Sequence, residues 1–476
     1  MALEYNKSSL SACTSILIGK KATIDGSTII GRNEDAMPSW PKHFVIHGHK
    51  EFVDNQKFVS KANDFQMDLP KIRYKYSATP EWTFKEGLFE EDGFNEYGVG
   101  MSATESAYSN QRVLGVDPLV KNGIGEEAMI TVVLPYVKTA REGVLRLGKI
   151  IEDYGTCETN GVLFSDKDEV WYFESGSGHY WVAQRIPDDC YAVVANQLAI
   201  QEIDFNDENN FLYHKDIKNF VDDNHLNAKP DSFNFREIFG THDLSDEIYS
   251  TPRVWWGQQQ FSGATDESPE SEDLAFIKKA NRLLSVDDAQ DYLASHYQKT
   301  EFDPLNDSVN NKRYRPISLA KTQESHVLQI RPNMKPKIAC VQWLAMGVAS
   351  QSIYVPFYMG MTDTPEEYKL GELPYDSKSA YWTYKLAGVL LDGHYKELGK
   401  DFQAKQKDIN ITLRKKLKDF DKEALSTDDD KLPNYLTKAS FEIAKVSLDS
   451  YKELIAQLIT DSTDFSPLNF KTDMNL

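Results

Sequence analysis

Short apolar runs separated by turn residues dominate the chain from Thr14 onwards, and this pattern predicts β-strands. The first two runs, Thr14–Gly19 and Ser27–Arg32, flank a polar segment whose Asp25-Gly26 pair is typical of a tight hairpin turn. Further strands are predicted at His43–His47, Ile72–Ser77, Tyr97–Ala103, Gly161–Ser165, Val170–Glu174, Tyr180–Arg185, Tyr191–Ala195, His326–Ile330 and Ile338–Leu344.

Helical spacing of apolar residues appears in two regions. It extends over Gly125–Tyr154, with the clearest periodicity in Ala128–Ile151, and it returns in three segments near the C-terminus, at 380–398, 401–425 and 432–459. The densely charged middle segment is typical of a helix with a solvated face. Strands followed by helices, without strict alternation, predict an α+β protein with mostly antiparallel sheets.

The same pattern suggests a domain organisation. Residues 1–12 are polar and without periodicity, so we expect a flexible leader, followed by a main domain over 13–376. Two polar stretches, 204–246 and 263–273, are predicted to be surface insertions, a place where functional lids are common. The helical segment 377–476 is predicted to pack on the same domain or to mediate formation of a homo-oligomer.

Composition narrows the functional class. The formal net charge of −20 over 476 residues disfavours nucleic acid and anionic membrane surfaces as partners, since both attract clustered Lys and Arg. Four widely separated cysteines indicate a reducing compartment, and with the acidic surface they predict a cytoplasmic protein. No apolar run reaches the ~18 residues that a membrane span needs.

Common catalytic and cofactor motifs are absent from the sequence. There is no His-Glu-x-x-His pair, no Walker-type phosphate loop, no dinucleotide-binding glycine motif and no Gly-x-Ser-x-Gly elbow. His43, His47 and His49 could share a strand face, but their spacing matches no established zinc pattern. We therefore predict neither a metal nor a cofactor.

Cys13 stands at the junction between the predicted leader and the first strand. A hairpin returns the chain beside its origin, so the end of the second strand, Gly31-Arg32-Asn33-Glu34-Asp35, should lie near this cysteine. The local sequence thus predicts a thiol, a guanidinium and a carboxylate close together. The alternatives are a buried core cysteine and an ordinary surface ion pair between Arg32 and Asp35.

These residues carry a family resemblance. Cys13–Asp35 resembles the opening of the N-terminal-nucleophile cysteine hydrolases, which include the dipeptidase A family, the penicillin V acylases and the bile salt hydrolases. Five further blocks resemble dipeptidase A in the same order along the chain. They are Asn95–Val99 with Ser102–Ser106, Thr251–Trp255, Arg315–Ser318, Gln323–Val327 and Gln342–Ala345.

The resemblance implies a four-layer αββα sandwich of two antiparallel sheets, and self-cleavage that removes residues 1–12 and leaves Cys13 at the N-terminus. Asp35 would then orient the new amine and Arg32 would stabilise the thiolate. By resemblance to the acylase branch, Asn196 is the candidate oxyanion donor and Arg253 lines the site. Alternatively, Asn196 is a turn residue, and Arg253 is a structural cation stacked beside Trp255 and Trp256.

The proposed chemistry can also be argued from the residues alone, without the family resemblance. A thiol of pKa near ~8.5 needs activation, and a free α-amino group of pKa ~7.7–8.0 on the same residue can accept its proton. We expect a metal-independent dipeptidase of broad specificity, with Glu105 either contacting a substrate ammonium or holding a loop. The alternatives are an acylase of the penicillin V or bile salt type, and a catalytically silent binding protein that keeps the fold.

Overall fold

We describe a computed structural model of the chain, in which residues 12–264, 266–466 and 468 are described. Most of the predicted leader, residues 1–11, lies outside this range.

Nineteen strands are formed within the described residues. They are β1 (Ala12–Ile18), β2 (Thr28–Asp35), β3 (Val45–His47), β4 (Lys50–Glu51), β5 (Gln56–Val59), β6 (Gln66–Leu69), β7 (Ile72–Arg73), β8 (Tyr76–Ala78), β9 (Asp92–Phe94), β10 (Gly100–Ser106), β11 (Asn160–Ser165), β12 (Val170–Ser175), β13 (Trp181–Arg185), β14 (Tyr191–Val194), β15 (Phe211–Tyr213), β16 (Ile277–Lys278), β17 (Thr322–Ile330), β18 (Cys340–Met346) and β19 (Val355–Tyr358).

Eleven α-helices accompany them within the same residues. They are α1 (Gln111–Leu114), α2 (Glu126–Val133), α3 (Ala140–Tyr154), α4 (Ile217–Asp223), α5 (Phe235–Phe239), α6 (Thr251–Ser262), α7 (Val286–Leu293), α8 (Pro336–Ala339), α9 (Ala380–Asp392), α10 (Tyr395–Ser426) and α11 (Leu432–Ser462). The protein is therefore mixed α and β, as predicted.

Two large sheets organise the molecule. The first has seven strands in the order β16-β14-β1-β2-β17-β18-β19, and the second has six in the order β15-β13-β12-β11-β10-β9. Neighbouring strands in both sheets are antiparallel, which confirms the predicted sheet type. Strands β1 and β2 of the first sheet contact β10 and β12 of the second.

The hydrophobic residues of the chain pack on both faces of both sheets. Leu17 and Ile30 of the first sheet meet Leu163 and Tyr172 of the second in one core cluster. The outer face of the second sheet is covered by α2 and α3. The outer face of the first is covered by α6, α7 and the three C-terminal helices α9–α11. Each sheet therefore has one face against the other sheet and one against helices.

The predicted hairpin at the start of the chain is confirmed. Strands β1 and β2 pair with Cys13 opposite Glu34 and Ser15 opposite Arg32. Paired residues project from the same face of a sheet, so Cys13, Ser15 and Arg32 all face the second sheet. From Cys13 onwards, every residue of β1 and β2 is buried, and only the turn between the strands is partly exposed.

The single helix predicted over Ala128–Ile151 is wrong in its continuity. Helix α2 ends at Val133, a short 3₁₀ turn follows over Leu134–Tyr136, and α3 starts at Ala140. Pro135 lacks the N–H that would continue α2, and the side chain of Thr139 accepts a hydrogen bond from the backbone of Glu142 at the start of α3. The apolar spacing alone did not separate these two helices.

Part of the segment 204–246, which we predicted to be a surface insertion, is built into the fold. Strand β15 pairs with β13 at the edge of the second sheet. Phe220, Phe235 and Phe239 of α4 and α5 are buried in the core between the two sheets and their neighbours. Among the described residues, no helix combines the length and the apolar character needed to cross a bilayer.

Candidate active site

Cys13 lies on β1 at the interface between the two sheets, where its side chain is 1% exposed. The guanidinium of Arg32 donates from Nη1 to the Cys13 sulfur over 3.0 Å. Arg32 is fully buried as well. The predicted pairing of thiol and guanidinium is therefore present, although both groups are inside the protein and not on its surface.

Every N–H group of Arg32 has an acceptor. Nη1 also donates to the carbonyl of Thr104, and Nη2 donates to the carbonyl of Ala103 and to the Glu91 carboxylate at 2.5 Å. Nε donates to Ser102 Oγ over 3.0 Å. Because a guanidinium has five N–H donors in one plane, these contacts hold its orientation relative to the sulfur.

Asp35 lies at the end of β2, opposite Ala12 in the β1–β2 pair. Its carboxylate accepts hydrogen bonds from Arg315 and, over 2.5 Å, from Thr322 Oγ1. Side chains alternate along a strand, so Asp35 projects from the face opposite to that of Cys13. It lies beside the backbone that precedes the cysteine.

Arg253, on α6, contacts the backbone of the same cysteine. Its Nη1 donates to the carbonyl oxygen of Cys13 and, over 2.8 Å, to Thr14 Oγ1, while Nη2 donates to Asn196 Oδ1 over 2.7 Å. The Asn196 amide donates in turn to the carbonyl of Ser106 over 2.9 Å. The structure thus brings Arg253 and Asn196 together at Cys13, and the Asn196 amide hydrogen bonds to the protein backbone.

Arg253 does not stack on the tryptophans that follow it in sequence. Its guanidinium and that of Arg315 lie 5.2 Å and 5.1 Å from the ring centre of Tyr249. Tyr249 belongs to a π-helical turn over Asp246–Ser250. Such turns are rare in proteins overall, and those that occur are often found at functional sites. Two cations are therefore held against one half-buried ring beside the cysteine.

Glu105 is fully buried on β10. Its Oε2 accepts a hydrogen bond of 2.5 Å from Ser15 Oγ, and its Oε1 has no hydrogen-bond partner among the described residues. Burial raises the pKa of this carboxyl to about 7, against the opposing charges of Arg253, Arg32 and Arg315. An unpartnered buried oxygen near the Cys13 thiol is a candidate for contact with a substrate.

Burial dominates the ionisation of the thiol in the encoded chain. It raises the pKa of Cys13 well above its usual value, and the charges of Glu105, Glu126 and Asp35 act in the same direction. Arg32 opposes them and lowers the pKa. The thiol therefore needs a further change before it becomes nucleophilic at neutral pH.

Behind Arg32 lies a buried polar cluster of Asp92, Glu324 and His326, whose ligand-type atoms are within 4.8 Å of one another. Both imidazole nitrogens have protein partners, Nδ1 with Glu324 at 2.9 Å and Nε2 with Ser102 Oγ at 2.8 Å. Burial lowers the pKa of His326, and the positive charge of the neighbouring Arg32 lowers it further. The same charge would repel a bound cation. These contacts favour a hydrogen-bonded cluster over a metal site.

The three histidines near the start of the chain do not converge. His43 contacts the carbonyl of Gly371, whereas His47 and His49 hydrogen bond separately to Glu90 and Glu96. They form no shared set of ligands.

Several residues of the site were not predicted from the sequence. Arg315 belongs to a block that carries the family resemblance, but nothing in its spacing assigned it to Asp35. Glu91, the ion-pair partner of Arg32, lies 59 positions away in the chain and carries no motif. Packing of the second sheet on the first brings Glu91 to Arg32, whereas Arg315 reaches Asp35 from the segment before β17, on the other face of the first sheet.

Comparison with known proteins finds relatives that match almost the whole chain. A family model described as peptidase family C69 matches residues 12–408. A probable dipeptidase of Latilactobacillus sakei is 44% identical, with 98% of this chain and 99% of that protein aligned. Probable dipeptidase B of Lactococcus lactis subsp. lactis is 38% identical over 94% of this chain and 95% of its own length. Dipeptidase A of Lactobacillus helveticus is 35% identical, with coverages of 96% and 98%.

Proposed function

This chain belongs to peptidase family C69 and is a peptide-bond hydrolase, as its motifs indicated, and from this premise we propose that it hydrolyses dipeptides with Cys13 as the N-terminal nucleophile. The observation that carries the proposal is the 3.0 Å contact between Arg32 Nη1 and the sulfur of Cys13. It joins a cysteine at the start of the first strand to a fixed cation.

Self-cleavage comes first in this mechanism. The Cys13 sulfur attacks the carbonyl carbon of Ala12, a C–S bond forms, and the C–N bond between the two residues breaks as the nitrogen takes up a proton. Water then hydrolyses the thioester, which releases residues 1–12 with a new carboxylate. The products are a free thiol and a free α-amine on the same residue.

The new amine changes the thiol that burial otherwise holds protonated. An ammonium group on the α-carbon and access of water to the chain end both lower the thiol pKa, adding to the effect of Arg32. In turnover the neutral amine accepts the thiol proton, and the thiolate attacks the dipeptide carbonyl. The amine then hands its proton to the leaving amino group, and water hydrolyses the acyl-enzyme.

The other predicted residues take roles that their positions support. Asp35 lies beside the backbone before Cys13, where it can accept a hydrogen bond from the new amine. Arg253 holds the Cys13 carbonyl and Asn196. For Asn196 to act as an oxyanion donor, its amide must exchange the Ser106 carbonyl for the developing oxyanion. Loss of one such donor typically costs ~10²–10³ in rate.

Glu105 favours dipeptides over the acyl substrates of the related acylases. A buried carboxylate with one unpartnered oxygen is suited to bind a substrate α-ammonium. The acyl substrates of an acylase carry no such ammonium at the scissile amide. We further propose that the two packed sheets and their helices form the four-layer sandwich of N-terminal-nucleophile hydrolases. We also propose that 13–376 is the catalytic domain, that the protein works in the cytoplasm, and that no metal is required.

Intact-mass measurement of the purified protein, paired with a dipeptide assay, tests this mechanism. The wild type should lack residues 1–12 and lose activity with a thiol alkylator, but keep it with a chelator. Cys13→Ser should process slowly and be inactive, whereas Cys190→Ser, which removes a buried cysteine far from Arg32 in sequence, should behave as wild type. Full activity of Cys13→Ser would overturn the proposal.

Substrate charge tests Glu105 separately. We expect Glu105→Gln to lower kcat/KM for free dipeptides while leaving the low rate on N-acetylated dipeptides unchanged. If N-acetylated substrates are cleaved as fast as free ones by the wild type, the site is that of an acylase.

A further inference from the structure

A chain of three hydrogen bonds continues from Arg32 away from the sulfur. Arg32 Nε donates to Ser102 Oγ over 3.0 Å, and Ser102 Oγ lies 2.8 Å from His326 Nε2. His326 Nδ1 lies 2.9 Å and 3.1 Å from the two oxygens of the Glu324 carboxyl. Ser102, Glu324 and His326 are all fully buried.

We propose that Ser102 and His326 are positioning residues for peptide hydrolysis, which hold Arg32 so that its Nη1 faces the Cys13 sulfur. The proposal rests on the proposed function, since it requires Cys13 to be the nucleophile.

The strand register explains how the three residues meet. His326 is directly opposite Arg32 in the β17–β2 pair, so both side chains project from the same face of the first sheet. Ser102 projects towards them from β10 of the second sheet, and its hydroxyl lies between the guanidinium and the imidazole. The chain of bonds therefore spans the interface of the two sheets at the depth of the nucleophile.

The Ser102 hydroxyl is the only acceptor of the Arg32 Nε–H group among the described residues. The acceptors of Nη1 and Nη2 are Cys13, Glu91 and the carbonyls of Ala103 and Thr104. Without the Ser102 hydroxyl, a buried N–H would lose its acceptor, and the guanidinium would tilt to recover one. Such a tilt moves Nη1 relative to the sulfur, and displacements of about 1 Å near reacting atoms reduce rates strongly.

The electrostatics of the cluster suit this role. Burial lowers the pKa of His326 to about 4, with Asp92 acting against it and Arg32 with it, so the imidazole is neutral beside the guanidinium. Burial also raises the pKa of Glu324 to about 8. A neutral imidazole can hydrogen bond to Ser102 Oγ without repelling Arg32. This holds whether Nε2 donates to the hydroxyl or accepts from it.

Ser102→Ala is the primary test, since it removes one hydroxyl at nearly constant volume. In fully processed enzyme we expect kcat for a dipeptide to fall about tenfold or more, in the range typical of residues that orient catalytic groups, with KM within about twofold of wild type. Alkylation of Cys13 by iodoacetamide at a fixed neutral pH should slow in parallel. A merely structural role would not slow alkylation of folded enzyme.

Ser165→Ala is the matched control. Ser165 is a fully buried serine on β11 of the same sheet, and its Oγ has no hydrogen-bond partner among the described residues. This variant should keep wild-type kcat and alkylation rate. If Ser102→Ala matches Ser165→Ala in both measurements, the proposal is overturned.

A second pair of variants decides the matter if Ser102→Ala does not fold. His326→Gln keeps an acceptor and a donor on a planar group and should retain more activity than His326→Leu, which keeps neither. Equal activities of the two folded variants would overturn the proposal. Cys13→Ser, measured alongside, separates the two hypotheses, because activity in that variant rejects the nucleophile itself.

Discussion

At the scale of single residues, Arg32 contacts both a buried carboxylate and the proposed nucleophile. It forms a fully buried ion pair of 2.5 Å with Glu91, and the same guanidinium faces the Cys13 sulfur. Removing one partner of a buried pair leaves an uncompensated charge, which typically costs about 3–5 kcal/mol. Any loss of activity on mutation of Arg32 therefore mixes unfolding with loss of chemistry.

Double substitution separates the two roles. Arg32→Met should lower the free energy of unfolding by about 3–5 kcal/mol and abolish activity, because Glu91 is left buried and charged. Adding Glu91→Gln removes that charge and should restore part of the stability without restoring activity. Urea unfolding and a dipeptide assay measure both effects.

Arg112→Met provides the comparison, since Arg112 is an exposed arginine on α1 and surface substitutions usually change the free energy of unfolding by less than about 0.5 kcal/mol. Recovery of activity in the Arg32→Met/Glu91→Gln variant would show that Arg32 has no chemical role.

The raised pKa of Glu105 predicts how the free energy of unfolding depends on pH. Burial raises its pKa from 4.5 to about 7, so between these values the folded state binds more protons than the unfolded state and stability falls as pH rises. Glu105→Gln cannot ionise. Between pH 5 and pH 8 its free energy of unfolding should therefore gain about 3 kcal/mol relative to wild type, at about 1.36 kcal/mol per pH unit over two units.

Urea unfolding at the two pH values measures this difference, and Glu208→Gln, at an exposed position, should show no such gain. A constant difference between Glu105→Gln and wild type would mean that Glu105 is ionised throughout this range in the folded protein.

The sequence predicted the site only as far as local geometry extends. Cys13 and Arg32 were brought together correctly because a single hairpin joins them. The partners of Asp35 and Arg32 were not predicted, since Arg315 precedes β17 and Glu91 precedes β9, both far from the hairpin in sequence. Hydrophobic periodicity describes the faces of elements and carries no information on which polar groups meet between them.

At the scale of elements, each apolar run predicted as a strand overlaps an observed one, but Ile72–Ser77 divides into β7 and β8, and Ile338 lies in α8. Helix boundaries depended on single residues. Pro135 and the capping Thr139 divided the region predicted as one helix. Within α3, Gly143 and Gly148 allow the helix to approach β11 and β13, because an added Cβ would lie 2.6 Å from the Phe164 ring and 2.3 Å from the Trp181 ring. Close packing here outweighs helix propensity.

Gly148→Ala tests this balance. Alanine favours a helix interior by up to about 1 kcal/mol over glycine, but overpacking against Trp181 costs about 1–3 kcal/mol. We expect a net loss of about 1–2 kcal/mol in the free energy of unfolding, measured by urea unfolding. Gly393→Ala, at the end of α9 with no atom beyond its chain neighbours and local helix backbone within 4 Å of the added Cβ, should be neutral or slightly stabilising. Stabilisation by both variants would show that α3 has room to move away.

At the scale of the whole molecule, the C-terminal helices share a core with the first sheet. Tyr358 of β19 hydrogen bonds through its hydroxyl to Asp421 of α10 over 2.8 Å, and Ser440 of α11 accepts from the Tyr358 backbone over 3.2 Å. The side chains of α9–α11 belong to the same hydrophobic cluster as β17–β19. This arrangement favours packing on the sheets of the main domain, one of the two roles predicted for this segment.

Leu436→Ala tests whether the helices and the sheets unfold together. Leu436 is fully buried on α11, and truncation of such a leucine typically costs about 2–5 kcal/mol. If the molecule is one cooperative unit, this substitution, far from Cys13, should shift the loss of dipeptidase activity and the loss of far-UV helicity to lower urea concentration by the same amount. Leu425→Ala, at a half-exposed position on α10, should shift neither by much. A shift in helicity alone, with the activity transition unchanged, would mean that the helices melt while the two sheets keep Cys13 and Arg32 in place, and that residues 377–476 form a separate unit.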